Sequence, residues 1–256
     1  MAQKIKAAAV SYLNTKPLIY GFEQGMMMDE MELIIDYPAK IATLLQQDKI
    51  DIGLVPVAII PTLKEYHIIS DYCIGCDGEV ASVCLFSDVP LDEIQTILLD
   101  YQSYTSVALL KILLKEHWKI SPKLITGLEN YESKITGTTA GLVIGDRALI
   151  QRTKSRYIYD LGLGWKEMTG FPFVFAAWVS NKKIPDSFIK SFNKATSLGF
   201  KHIDEIISSI DLPSYDMQLY YTANIDYPLD RKKKKAIALF LKYVSDKKIT
   251  DNMTWV

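Results

Sequence analysis

A chain of 256 residues with 49% hydrophobic and 23% charged side chains has the makings of an ordinary globular core, in one large domain or two small ones, which excludes fibrous and disordered classes. A formal net charge of -1 provides no global attraction to nucleic acid or to an anionic membrane, so an anion has to be recognised locally. No segment reaches transmembrane length, and the apolar run after Met1 to Lys6 is too short for a signal peptide, so a cytoplasmic protein without nucleic-acid or membrane partners is expected.

Ile5 to Val10 reads as a buried strand, and Leu18, Ile19 and Phe22 recur on one helical face, which puts Asn14 or Thr15 at a helix N-cap with Pro17 in the first turn. The run Ser11-Tyr12-Leu13-Asn14-Thr15-Lys16-Pro17-Leu18 thus sets short hydrogen-bonding side chains at a strand-to-helix turn. Free N–H groups and the positive end of the helix dipole favour a carboxylate or phosphate there, with Ser11 and Asn14 as added donors. The same residue types also serve as plain caps. Leu33 to Ile35 is a strand, Pro38 opens a helix with Ile41, Leu44 and Leu45 on one face, and Ile50 to Val55 is the next strand. This alternation marks a parallel sheet covered by helices. Cys73, Cys76 and Cys84 are an odd number without a secretion signal. They are expected as reduced, buried, structural residues, since no second ligand pair accompanies Cys73-x-x-Cys76.

The pattern resumes with a strand at Gln95 to Leu99, a polar turn at Asp100 to Tyr104 and a helix at Thr105 to Trp118. Ser103, Thr105 and Ser106 make a second anion cradle, although Ser103 also suits a cap. Two cradles point to a dianionic ligand. Leu142 to Ile144 and Tyr157 to Asp160 are further strands around a helix that begins near Asp146; Gly145 permits close backbone approach, and Asp146 can cap that helix or take a proton. Phe171 to Val179 reads as a buried strand, Pro185 starts a helix, and Asp230 caps the last one. The expected architecture is a discontinuous two-domain α/β protein: residues 1–87 plus 178–256 form one domain and 88–177 the other. Crossings near 85–90 and 172–182 form the hinge, and the ligand lies in the cleft. The basic run Arg231 to Lys235 opens an amphipathic helix and is expected as a solvated face.

His67, His117 and His202 lie outside all three turns, and none has a nucleophile at a useful spacing. H-E-x-x-H, a phosphate-loop lysine motif and G-x-G-x-x-G are missing from the sequence, so a site with no cofactor and no metal is the simplest expectation.

Six segments occur together and in order: Ser11 to Leu18, Asp51-Ile52-Gly53-Leu54-Val55-Pro56, Asp77 to Val83, Ser103 to Leu110, Ile144 to Leu149, and Asp160-Leu161-Gly162 through Trp165 to Thr169 and Phe175. With them the chain resembles, over most of its length, the menaquinone-biosynthetic chorismate dehydratases of the futalosine route. The resemblance implies a periplasmic-binding-protein-like type II fold kept in the cytoplasm, a hydro-lyase activity without a cofactor, and the dicarboxylate chorismate as small-molecule substrate. It implies catalytic roles for Asn14 and Asp146 and substrate contacts from Ser11, Asn14, Ser82, Ser103, Thr105, Ser106 and Gly145. The sister enzyme, 1,4-dihydroxy-6-naphthoate synthase, carries a Cys-Pro-Asn-Asp-Thr run at Leu13-Asn14-Thr15 and an Ile-His-Glu at Ile144-Gly145-Asp146, so its histidine is missing here. Tyr104 departs from the dehydratase pattern, which more often has arginine there. A third reading is a non-catalytic carboxylate-binding protein using the same cleft. Within the dehydratase reading Asn14, a neutral amide, orients the substrate and is no base. The base is Asp146 or the substrate's own enolpyruvyl carboxylate, with the substrate favoured.

Overall fold

The computed structural model describes residues 4–246. The first three residues of the segment weighed as a signal peptide, and residues 247–256 of the expected first domain, lie outside the described residues. The chain opens with β1 (Ile5–Val10), whose run Ala7 to Val10 is buried as befits a strand covered on both faces. A 3-10 turn over Leu13–Thr15 leads into α1 (Lys16–Glu23), then β2 (Met31–Asp36), α2 (Pro38–Gln46), β3 (Ile52–Pro56) and β4 (His67–Cys76). A second unit follows: β5 (Val83–Ser87), β6 (Thr96–Leu99), α3 (Tyr104–Glu116), β7 (Lys123–Thr126), β8 (Thr139–Ile144), α4 (Gly145–Gln151), β9 (Tyr157–Asp160) and α5 (Leu161–Thr169). The chain then returns as β10 (Phe173–Ser180), α6 (Asp186–Leu198), α7 (Ile203–Ser208), a short α8 (Met217–Leu219) running into a π-helical turn at Tyr220–Asn224, and α9 (Arg231–Asp246).

The two five-stranded sheets have one plan, β2-β1-β3-β10-β4 and β7-β6-β8-β5-β9. In each, four strands run in one direction, and the first strand after a crossing is inserted antiparallel between the third strand and the fifth. The inserted strand runs backwards because it enters from the other unit.

Strand pairing moves both expected crossings. Val83–Ser87, expected in the first unit, is bonded to β8 and β9, whereas all of Phe173–Ser180 is bonded to β3 and β4. The connections are therefore residues 77–82 and 170–172. A short strand buried on both faces carries no pattern that says which of two sheets it joins.

The first connection is tight, with Gly78 at φ 135° and Ala81 at φ 62°. The left-handed Ala81 costs about 1–2 kcal/mol. The buried Asp160 carboxylate offsets this by accepting from Val80 N at 3.1 Å and Ala81 N at 2.8 Å, while also capping α5 through Leu163 N at 3.0 Å. The second connection is held by Trp165, whose Nε1 donates to the Pro172 carbonyl at 3.0 Å and whose ring meets Phe173 and Phe240 edge-on.

Two smaller expectations meet the structure here. The three thiols are free and buried, and burial pushes all of them up, Cys73 to about 12, so they are poor nucleophiles at neutral pH. The basic run is exposed except at Lys233, which is buried, paired with Asp226 and bonded to the Pro228 carbonyl at 2.7 Å. One helical turn carries the third residue of the run round to the core side, so a fully solvated face is corrected to a solvated face with one buried ion pair.

Candidate functional site

The facing ends of the two sheets line one cleft that opens to solvent. Tyr12, Asn14, Ser82, Ser103, Ser106 and Gly145 line it, with Ile74, Val83, Ile144 and Phe175 among its apolar walls. The three turns singled out in the sequence thus converge on one cleft. No Lys, Arg, Asp or Glu lines it among the described residues, so its polar groups are neutral hydroxyls, an amide and backbone N–H.

Asn14 is buried in the 3-10 turn ahead of α1 and caps nothing; Thr15 is the N-cap, with no side-chain cap bond. The turn is pinned by distant side chains. Tyr221 donates to the Leu13 carbonyl at 2.8 Å, Tyr227 to the Asn14 carbonyl at 2.9 Å, and Leu13 N donates to Asp146 Oδ1 at 3.1 Å. Tyr220 reaches the neighbouring wall, where its hydroxyl donates to Ser82 Oγ at 2.8 Å. Ser82 in turn accepts at its carbonyl from Gly145 N at 2.8 Å.

Ser103 is both cap and wall. Its Oγ accepts from Ser106 N at 3.2 Å and donates to Ser106 Oγ at 2.8 Å, at the start of a 13-residue helix whose first-turn N–H groups have no helical acceptor. Two expected substrate contacts are not brought to the cavity. Thr105 is wholly buried and accepts from Ala58 N at 3.1 Å, tying α3 to the first unit, because on a helix Ser103 and Ser106 share a face that Thr105 does not. Ser11 is exposed and stands between the lining residues Val10 and Tyr12, where extended backbone turns it to the other side.

Asp146 sits in the first turn of α4, is turned to Leu13 N and does not line the cavity. Burial raises its pKa, opposed by the Leu13 N–H, Lys16 and Arg147. Arg147 directs its charge into the second unit, pairing with Asp100 and Glu132 at 2.6 Å each and donating to Gln102 Oε1 at 3.2 Å. Gln102 Oε1 also accepts from the Tyr12 hydroxyl at 2.5 Å, so the network ends on the cavity wall.

A family model described as menaquinone biosynthesis matches residues 5–246. The chain belongs to this menaquinone-biosynthesis family. A chorismate dehydratase of Thermus thermophilus is 26% identical over 218 residues, 76% of this chain and 77% of that protein. A chorismate dehydratase of Campylobacter jejuni is 28% identical over 138 residues, 52% of this chain and 61% of that protein, a match spanning less than two thirds of its length. Among solved structures, a protein of Archaeoglobus fulgidus superposes with a TM-score of 0.72 at 13% identity over 96% of this chain and 98% of that one. A periplasmic aliphatic sulphonate binding protein of Escherichia coli superposes with 0.66 at 10% identity over 97% and 94%. At such identities the likeness is one of fold: this member of the menaquinone-biosynthesis family has the periplasmic-binding-protein-like fold, two α/β units around a cleft. No helix among the described residues is long and apolar enough to cross a membrane.

For the family member the residues hidden from sequence patterning are Tyr12, Arg147 and the tyrosines 220, 221 and 227. The last three belong to a tyrosine-rich stretch without helical or strand period, and aromatic density is the only signal there. The three histidines pair with Glu65, Glu167 and Glu205, away from the cavity.

Gly145 is required by two constraints. Its φ is 62°, and a Cβ would stand 3.1 Å from the Tyr12 ring. Gly145→Ala is expected to destabilise the fold by about 1–2 kcal/mol from the left-handed backbone alone, and to displace Tyr12 from Gln102. Denaturant unfolding together with ligand titration would check both effects.

Proposed function

We propose that the chain is a chorismate dehydratase, a cytoplasmic hydro-lyase that converts chorismate to 3-[(1-carboxyvinyl)oxy]benzoate without a cofactor. The observation that carries this reading is the convergence of Asn14, Ser82 and the Ser103 to Ser106 helix start on one largely apolar cavity. Neutral donors in a low-dielectric site hold a dicarboxylate without cancelling its charge and stabilise charge that spreads into the ring carboxylate.

The reaction removes a ring proton and the adjacent ring hydroxyl, and aromatisation drives it. The two groups leave from the same ring face, which disfavours a concerted anti elimination and favours loss of the proton first. Its electron pair then moves into the ring and its carboxylate. The carbon–oxygen bond breaks next, and the proton leaves with the hydroxyl as water. Asn14 supplies orientation and a hydrogen bond, not basicity.

The position of Asp146 favours the substrate's enolpyruvyl carboxylate as base, because one carboxylate oxygen is occupied by Leu13 N and the side chain is off the cavity wall. Asp146→Asn keeps an acceptor for Leu13 N and is expected to retain turnover within about tenfold, the span of one ordinary hydrogen bond. Folding raises this carboxyl's pKa, so its unfavourable contribution is present above its folded pKa and fades as pH falls through it. The Asn variant should therefore lose little stability near neutral pH, as a thermal melt would show. A loss of several orders of magnitude in kcat with intact folding would instead make Asp146 the base. The reading as a whole is tested by incubating purified protein with chorismate and following the aromatic enolpyruvyl product; a rate no higher than the spontaneous one overturns it.

A further inference from the structure

We infer that the Tyr12–Gln102 hydrogen bond is a spacer that sets the distance between the two donor clusters of the cleft, which makes Tyr12 and Gln102 positioning residues that select dicarboxylates by their carboxylate separation. The inference rests on the proposed reading of the cavity as a dicarboxylate site. The clusters belong to different units: Asn14 follows β1 of the first, and Ser103 with Ser106 stands at the start of α3 of the second. Tyr12 is two residues before Asn14, and Gln102 is the residue before Ser103. The Tyr12 hydroxyl donates to Gln102 Oε1 at 2.5 Å, so this one bond ties cluster to cluster across the cleft.

Arg147 decides the direction of the bond. A guanidinium donates and never accepts, and it reaches the same Gln102 atom at 3.2 Å, so that atom is the carbonyl oxygen and the phenol must supply its own proton. Burial and the Asp100 charge push the phenol's pKa up, which keeps that proton in place at neutral pH.

Gln102 is fixed at both ends. Its N–H donates to Asp100 Oδ1 at 2.7 Å. Arg147, which holds its side chain, is clamped by Asp100 and Glu132 and lies 5.5 Å from the centre of the Tyr101 ring. The Tyr12 ring rests on Gly145, where three ring carbons stand 3.1 to 3.3 Å from the place of the absent Cβ. A side chain of the first unit is thus seated on the second through both ring and hydroxyl. Two further bonds join the units beside the cavity, Leu13 N to Asp146 and Ala58 N to Thr105. Neither involves the phenol, so its removal loosens the seat of Tyr12 and leaves the fold standing.

A ligand with two carboxylates binds the second one as an intramolecular event, and the gain depends on how well its span matches that of the sites. A monocarboxylate occupies one cluster and is indifferent to the span. Tyr12→Phe keeps the ring and removes the bond. The probes are 3-[(1-carboxyvinyl)oxy]benzoate, with two carboxylates, and benzoate, with one, each in an equilibrium titration. Tyr12→Phe is expected to weaken the dicarboxylate about tenfold, the span of one ordinary hydrogen bond, and benzoate less than about twofold. KM for chorismate should rise with the dicarboxylate Kd, with a smaller change in kcat. Gln102→Leu removes the acceptor and should weaken the dicarboxylate at least as much. The double variant should bind it no more weakly than Gln102→Leu alone, because the hydroxyl acts through Gln102. Equal losses for both probes, or losses that multiply in the double variant, overturn the proposal.

A further measurement needs no ligand: the NMR signal of the hydroxyl-bearing ring carbon of Tyr12, in protein carrying 13C at that carbon of tyrosine and identified by its loss in Tyr12→Phe. It should move in Gln102→Leu, and an unmoved signal overturns the proposal. If the unaltered protein does not turn over chorismate, the dehydratase reading falls and the two probes still decide the spacer. Binding of the dicarboxylate no tighter than benzoate by the unaltered protein would overturn it.

Discussion

Replacing Asn14 by Ala is expected to lower kcat on chorismate by about 100-fold or more, the usual cost of deleting a donor aimed at developing charge, while shifting Tm by only about 2–4 °C. The asymmetry follows from what holds the turn. Its main chain is fixed through the Leu13 and Asn14 carbonyls and the Leu13 N–H by Tyr221, Tyr227 and Asp146, none of which the substitution touches. The amide itself makes one long contact with Thr15, and losing it costs no more than about 1 kcal/mol. Steady-state kinetics and a thermal melt on the same preparation separate the two effects. Near-normal kcat and KM would show that Asn14 serves only the turn, and a collapse of Tm would show that the turn depends on its side chain.

The largest stability effect is expected at two glycines remote from the cavity. α1, which continues from the Asn14 turn, lies against α6 so closely that a Cβ on Gly21 would stand 2.1 Å from the Ala195 carbonyl oxygen. A Cβ on Gly199, just past α6, would stand 2.0 Å from the Pro17 carbonyl oxygen. Both obstacles are backbone, so no rotamer change relieves them and the helices must separate. Overpacking of this kind costs about 3 kcal/mol. Ala in place of Gly inside a helix returns at most about 1 kcal/mol, so Gly21→Ala remains destabilising by about 2 kcal/mol. That corresponds to a fall in Tm of about 4–8 °C for a domain of this size.

Gly170→Ala is the control. It has φ 74° with nothing within 4 Å of the added carbon, and should lose only the left-handed strain of about 1–2 kcal/mol. Denaturant midpoints would rank the variants. Equal stability of Gly21→Ala and the parent would mean that α1 is free to move off α6. Because α1 carries the Asn14 turn, kcat/KM should fall along with stability at Gly21 and not at Gly170.

Local pattern made a good part of this molecule readable. The 3.6-residue and two-residue periods of apolar residues identify β1, α2, β9, α6 and the helix after Asp230, and Lys233 N does donate to Asp230 Oδ1 at 2.8 Å as a capped start requires. The three turns at Asn14, Ser103 and Gly145 were legible because anion-binding turns draw on a small set of residue types at strand-to-helix junctions, and they do share one cavity. The same logic overreached at Ser11 and Thr105. A residue type suited to a site says nothing about the face on which strand pleat or helix rotation puts it.

What the sequence determined by itself, then, is the kind of element at each stretch, the neutral and hydroxyl-rich chemistry of its turns, and, through six ordered segments, membership of the menaquinone-biosynthesis family. Tertiary structure alone decided which sheet β5 and β10 join, that Asp146 faces Leu13 N and not the cavity, and that Tyr220 reaches Ser82 across 138 positions of sequence. Periodicity and turn chemistry arise from neighbours within a few residues, so the sequence displays them directly. A hydrogen bond between distant segments exists only once both sheets have packed, and no local pattern records it.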